Sequence, residues 1–323
     1  MARVFITGAN GFIGRTLAER WRGLGAEVTG VDVAADQGRG IVAGDVSQPG
    51  HWQRAAQGCD VVVHTAALVG MPSDESRFWA VNVRGTRLAL ESARDAGARR
   101  FVHLSSVVTF GLDFPDNVDE RWPVQPSRVA YIDTKIAAEQ VCLQAHAAGE
   151  MEVVIVRPGD VYGPASRPWT VMPVELIKSR RFALPARGRG IHSPIYVDDL
   201  VTGIIAAASA DAAAGQVITV SGGVGIETRE FFGHYARMLG RRGIPGVPTR
   251  LALAAAATQS AVARVRGTVN EVTPAGVRYL ALRRGTYSIA RARELLDWTS
   301  AVSVDEGMSR TESWLREQGL LSA

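Results

Sequence analysis

Lysine is nearly missing from this sequence of 323 residues: Lys135 and Lys178 are the only two among its 36 basic residues. A pI near 9.4 is therefore an effect of arginine, and 36 basic against 32 acidic residues leave a net charge of only +4. The arginines are scattered, adjacent only in short pairs such as Arg180–Arg181, Arg241–Arg242 and Arg283–Arg284. Nucleic-acid binding, which needs a clustered basic stripe, is not expected. Cysteine is equally scarce. Cys59 and Cys142 cannot build a disulfide framework and belong to no CxxC or Cys/His cluster, which fits a reducing cytoplasm. His51, His103, His146 and His234 lack metal-ligand spacing, so no metal site is expected. Nor is there an apolar run of the ~18 residues that a membrane span requires. The most apolar stretch, Leu251 to Val265, is interrupted by Thr258, Gln259, Ser260 and Arg264. It reads as a packed helix in preference to one lying on a membrane surface. The opening MARVFITGANGFIG runs from a strand into glycines, without the charged, apolar and small-residue order of a signal peptide.

What is present is enough for a full core: 46% of residues are hydrophobic and 21% charged, which excludes a disordered or collagen-like chain. Short β-branched runs at Val4 to Thr7, Val28 to Val33, Ile41 to Ala43, Val61 to Thr65, Phe101 to Ser105 and Val153 to Val156 are apolar on consecutive positions. Consecutive burial marks parallel strands covered on both faces. Segments of helical period, Phe12 to Leu24, Asp74 to Ala96 and Ser127 to Ala148, lie between them. The rhythm predicts an α/β fold, a doubly wound, mostly parallel Rossmann sheet with right-handed crossovers. After Arg157 prolines and glycines break the pattern, and only Ile195 to Val197 and Val217 to Val220 still read as strands returning to the sheet. Residues 1–159 with 193–223 are expected to form the sheet domain, and 160–192 with 224–323 a smaller, mainly helical lobe. Helices there are expected at Arg229 to Leu239, Arg250 to Val265, Ile289 to Leu295 and Val304 to Gln318, with Asp198 and Asp199 capping another that begins at Leu200. Asp119-Glu120 reads as solvated charge in a loop.

Thr7-Gly8-Ala9-Asn10-Gly11-Phe12-Ile13-Gly14 closes the first strand and opens the first helix. Glycines at such a turn let the backbone approach a pyrophosphate, while the helix N-terminus supplies N–H groups and a positive dipole. Asp32, 18 residues after Gly14 at the end of the second strand, can accept hydrogen bonds from both ribose hydroxyls and would repel a 2′-phosphate, which favours NAD over NADP.

The TGxxGxxG spacing resembles the short-chain dehydrogenase/reductase superfamily, and the length its extended branch, the NAD-dependent epimerase/dehydratase family. By that resemblance, Asp45 and Val46 contact the adenine, Thr65, Ala66 and Ala67 run along the cofactor, and Asn82 matches a further cofactor position. Pro158 and Val161, in Arg157-Pro158-Gly159-Asp160-Val161-Tyr162-Gly163-Pro164, are similar to the segment packing beside the nicotinamide.

Tyr131-Ile132-Asp133-Thr134-Lys135 is a YxxxK motif, whose i, i+4 spacing sets a phenol and an ammonium on one helical face. A free tyrosine, with a pKa of about 10, is a poor base at neutral pH, and a nearby cation stabilises its phenolate. Leu104 to Gly111 is similar to the family's SSxxVYG segment, with Thr109-Phe110 replacing Val-Tyr. That register makes Ser106 the catalytic hydroxyl, with Ser105 as runner-up and expected to bond backbone. Together Ser106, Tyr131 and Lys135 imply proton removal from a secondary alcohol as hydride moves to NAD, or the reverse, with Lys135 also holding the nicotinamide ribose.

Where dehydratases of the family carry an Asp-Glu pair after the catalytic hydroxyl, Val107 and Val108 stand here. His192 falls where epimerases carry a phosphate-binding arginine, although Arg187 and Arg189 are close. Tyr196 to Leu200, Tyr287 to Trp298 and Arg310 to Leu315 look more like the 3β-hydroxysteroid dehydrogenase and dihydroflavonol reductase branch. Expected lining residues for a small apolar or steroid-like substrate are Leu68, Val69, Met71, Val108, Phe110, Trp169, Met172 and His192. The rival activities are a nucleotide-sugar 4-epimerase with tightly bound NAD, and a non-catalytic NAD-sensing scaffold. The resemblance also implies a homodimer paired through the helices in 74–96 and 127–148.

Overall fold

The computed structural model describes residues 1–70, 74–268 and 272–321. Its first part runs β1 (Arg3–Thr7), α1 (Phe12–Gly23), β2 (Glu27–Asp32), β3 (Ile41–Ala43), β4 (Val61–His64), α2 (Glu75–Trp79), α3 (Gly85–Asp95), β5 (Arg100–Leu104), α4 (Ala130–Ala147) and β6 (Glu152–Pro158). Then come β7 (Asp160–Tyr162), α5 (Met172–Lys178), β8 (Ile191–His192), β9 (Pro194–Tyr196), α6 (Val197–Ser209), β10 (Val217–Val220) and β11 (Ile226–Glu227). The last helices are α7 (Thr228–Met238), α8 (Thr249–Arg266), α9 (Pro274–Leu282), α10 (Ala290–Leu296) and α11 (Val304–Glu317).

Seven strands form a parallel sheet in the order β10-β6-β5-β4-β1-β2-β3. Every residue of β4 and β5 is buried, because helices cover both faces of the centre, and each such Val or Phe contributes about 1.5–3 kcal/mol by leaving water. The order in which successive strands are added to the sheet reverses between β1 and β4, and their carboxyl ends open the crevice where doubly wound sheets bind ligands.

Three expectations need correction. Ile195 does not return to the large sheet: β9 pairs in parallel with β7 in a separate two-stranded sheet, and only β10 extends the main one. The helix after β9 starts at Val197 without a side-chain cap. Asp199 instead accepts from Ser300 Oγ at 2.6 Å and from the N–H groups of Ala301 and Val302, so it clamps the approach to α11. Glu120 is not solvated, since its carboxylate accepts the Thr219 N–H of edge strand β10 at 2.7 Å.

α8 also departs from expectation. Ala256 is its one buried residue, and the helix packs on α9 and the 185–188 turn while its other sides face outward. Among the described residues no helix is long and apolar enough to cross a membrane.

Candidate active site

The glycine loop is shaped by contacts that a side chain would fill. Gly8 has φ +71°, and a Cβ there would lie 2.8 Å from Ala66 N; one on Gly14 would lie 2.2 Å from Gly8 O. The loop and the first turn of α1, with Gly11, Phe12 and Ile13, can therefore press against the end of β4 as a cradle that fits a pyrophosphate. Asp32 sits at the end of β2 beside this loop, its oxygens accepting from Asn10 N and Val33 N. Asp45 accepts from Ser47 N and Oγ, and the latter bond leads in holding its carboxyl below the usual range. Val46 is buried, with Gly85 giving room for it.

Thr65 Oγ1 donates to Thr7 O at 2.7 Å, and Ala66 N to Thr7 Oγ1 at 3.3 Å. Asn82 lies in a π-helical turn, Ala80–Arg84, between α2 and α3. Its amide grips Leu68, with Oδ1 accepting from Leu68 N at 2.7 Å and Nδ2 donating to Leu68 O at 3.1 Å; Nδ2 also donates to Thr134 Oγ1 at 3.0 Å. Asn82 thus joins the segment after β4 to α4. His64, which leads the segment expected to run along the cofactor, bridges Thr7 Oγ1 and Thr86 Oγ1 and stacks on His103. Burial lowers its pKa to about 3 and that of His103 well below normal, so both rings are neutral.

Ser106, Tyr131 and Lys135 come together between the end of β5 and the start of α4. Ser106 Oγ is within reach of the Tyr131 phenol, whose pKa is raised by burial, lowered by that contact and raised again by Asp160. Lys135 Nζ donates to Leu104 O at 2.8 Å, and burial lowers its pKa to about 8. Ser105 donates its N–H to Val156 O at 2.8 Å, as expected of a strand end, but its hydroxyl goes to a side chain: Oγ meets Glu139 Oε1 at 2.5 Å. Glu139, one turn beyond Lys135, also takes a bidentate pair from Arg157 at 2.8 and 2.7 Å, all of it buried. Pro158 ends β6 beside Val220, and Val161 is buried in β7.

Of the expected substrate residues, Val108 packs in one cluster with Ile132, Ile136, Tyr131 and Tyr279. Trp169 is half-buried, its ring 5.8 Å from that of Tyr279 and 4.6 Å from that of His192. His192 is enclosed by Phe231 and Phe232, and its Nδ1 lies 3.2 Å from Asp160 Oδ2 outside hydrogen-bonding geometry. Burial takes its pKa to about 4; a neutral, enclosed ring cannot do the work of a phosphate-binding arginine. Leu68 and Met172 are partly exposed and Val69 largely so, while Phe110 is enclosed with Val107, Val118 and Tyr287 away from this group. Met71 lies outside the described residues.

The sequence reading missed a second buried pair. Asp160 accepts two bonds from Arg283, at 3.0 and 2.7 Å, one from Tyr279 OH at 2.5 Å and one from Ser193 N at 2.9 Å. Burial alone would raise the Asp160 pKa, but Arg283 and the remaining partners hold it well below normal. An acid beside the apolar Val161 was the available signal; its partner, 123 positions away, had none.

Residues 4–221 match the model of the NAD dependent epimerase/dehydratase family. The chain belongs to that family. Among its relatives, the 4-hydroxy-2-methyl-3-oxo-4-farnesyl-3,4-dihydroquinoline-1-oxide ketoreductase of Stigmatella aurantiaca is 29% identical over 320 residues, 95% of this chain and 94% of that one. The UDP-glucose 4-epimerase of Mycolicibacterium smegmatis is 27% identical, covering 98% and 99%. In fold, the UDP-glucuronic acid 4-epimerase of Bacillus cereus, solved with NAD, is similar with a TM-score of 0.78 at 20% identity, over 98% of this chain and 99% of that one. As a member of the NAD-dependent epimerase/dehydratase family, this is an enzyme of the extended short-chain type and its cofactor is NAD.

Proposed function

We propose that this family member interconverts a secondary alcohol and a ketone on a small apolar or steroid-like substrate. The observation that carries the reading is Ser106, Tyr131 and Lys135 in one cluster, beside a wall of Val108, Ile132 and Tyr279 and with no acid at positions 107 and 108. Gly8, Gly11, Phe12, Ile13 and Gly14 hold the pyrophosphate of NAD, Asp32 the adenosine ribose, Asp45 and Val46 the adenine. Thr65, Ala66, Ala67, Asn82, Pro158 and Val161 border its nicotinamide half. Bound NAD supplies the hydride acceptor.

Ser106 holds the substrate oxygen by its hydroxyl. Tyr131 takes the hydroxyl proton during oxidation and returns it during reduction. Lys135, a cation below about pH 8, favours the phenolate and holds the nicotinamide ribose. Trp169 and the half-buried Tyr279 give the substrate an apolar wall. Residues 1–159 with 193–223 serve as the NAD domain and 160–192 with 224–323 as the substrate lobe, in a cytoplasmic homodimer.

The ketoreductase similarity supports this reading, and the full-length similarity to two sugar-nucleotide epimerases supports a 4-epimerase as the second. NADH absorbance separates them. Mixed with NAD and hydroxysteroids, flavonoid alcohols or UDP-hexoses, the protein is expected to form NADH on an apolar alcohol. Tyr131→Phe should slow this about a hundred- to ten-thousandfold. UDP-hexose interconversion without net NADH would instead establish the epimerase.

A further inference from the structure

We infer that the outer face of α8 docks on an anionic lipid surface, so that an apolar substrate can reach the cleft from a bilayer. Leu251, Ala254, Ala255, Thr258, Val262 and Val265 recur at the spacing of a single helical face, and this face points away from the body. Leu251 is 64%, Val262 43% and Val265 89% exposed, whereas the opposite side meets α9 through Ala256.

Charge decides among the possible occupants. From Phe231 to Asn270 the sequence holds no acidic residue but has Arg237, Arg241, Arg242, Arg250, Arg264 and Arg266. Arg250, Arg264 and Arg266 flank the apolar stripe, are exposed, and form no ion pair among the described residues. A second copy laid along this face would set these arginines against their own kind. A surface of anionic headgroups complements them, and the exposed aliphatic side chains can enter its acyl boundary. α8 is also one helix from the chemistry, because it packs on α9, whose Tyr279 shares a cluster with Tyr131 and Val108.

Delivery of substrate rests on the oxidoreductase reading, but docking does not, so the test reads docking without substrate. The full chain is floated with vesicles of phosphatidylcholine alone or mixed with phosphatidylglycerol, at low and high salt, beside Arg250→Glu/Arg264→Glu/Arg266→Glu and Leu251→Asp/Val265→Asp. Flotation with the anionic vesicles only, weakened by salt and lowered roughly a hundredfold in partition by the arginine variant, is the expected result. NAD affinity and thermal midpoint, unchanged because these side chains face outward, would show that both variants fold. Equal flotation on both vesicle types, or none, overturns docking; so does a concentration-dependent dimer that Leu251→Asp/Val265→Asp dissolves, which would assign the face to a second copy. If docking holds while no apolar alcohol yields NADH, the oxidoreductase reading alone fails.

Discussion

Two buried arginine–carboxylate pairs act on the catalytic group, one on Lys135 and the other on Tyr131, and they do different work. Glu139 and Arg157 lie in segments that already carry the chemistry, with Glu139 one turn from Lys135 and tied to Ser105. Asp160 and Arg283 join the start of β7 to the end of α9, fastening the helix that brings Tyr279 to the cleft. Both are bidentate and both are enclosed. The first fixes groups that move protons, and the second fixes a wall. A buried ion pair is thus informative through what it holds in place, since its net stabilisation is small next to the cost of breaking it.

Breaking either pair has the largest expected effect. Glu139→Gln and Arg283→Met should each cost about 3–5 kcal/mol in denaturant unfolding, because each strands a buried charge. Their activities should separate them. Glu139 raises the Lys135 pKa, so Glu139→Gln should move the alkaline limb of kcat to lower pH, whereas Arg283→Met should raise KM and leave that limb in place.

Acid comes next. His64 at about 3 and His192 at about 4 bind fewer protons folded than unfolded, where histidine titrates near pH 6.5. Stability is therefore full above that pH and lost below it. Each should forfeit roughly 3 kcal/mol between pH 6.5 and 4, and a phenylalanine at either position should remove its own share of the loss. Denaturant midpoints at pH 7, 5 and 4 would measure this.

Asn82→Ala should weaken NAD about tenfold, and cost roughly 1–3 kcal/mol of stability, by freeing Leu68; fluorescence titration with NAD measures the first and chemical denaturation the second. Ser105→Ala is the smallest change. It should cost about 1 kcal/mol and keep most of the turnover that Ser106→Ala removes.

The half containing the first pair was largely legible. Consecutive apolar residues marked the central strands, glycines marked the loop, and Tyr131 with Lys135 lay one turn apart. The other half was not, because its meaning is in distant contacts. α9 carries Gly276 inside it and has no sharp apolar period, so neither the helix nor Tyr279 was anticipated. β9 has strand composition, yet its partner is β7, a choice made by the segment from 163 to 193 that holds α5 and β8. The Ala-rich run of α8 predicts a helix but cannot tell packed alanine from exposed alanine.

The π turn at Ala80–Arg84 bears on how such a chain can change by descent. Holding more backbone than an α-helical turn, it amounts to an insertion kept inside a helix. Removing one residue from the turn would restore regular α-helical bonding and leave α2 and α3 nearly in phase, but at the turn itself it would carry Asn82 off Leu68. A deletion here is felt at the turn and at the segment that Asn82 holds, whereas the same deletion inside α3 would turn everything on one side of it by about 100°.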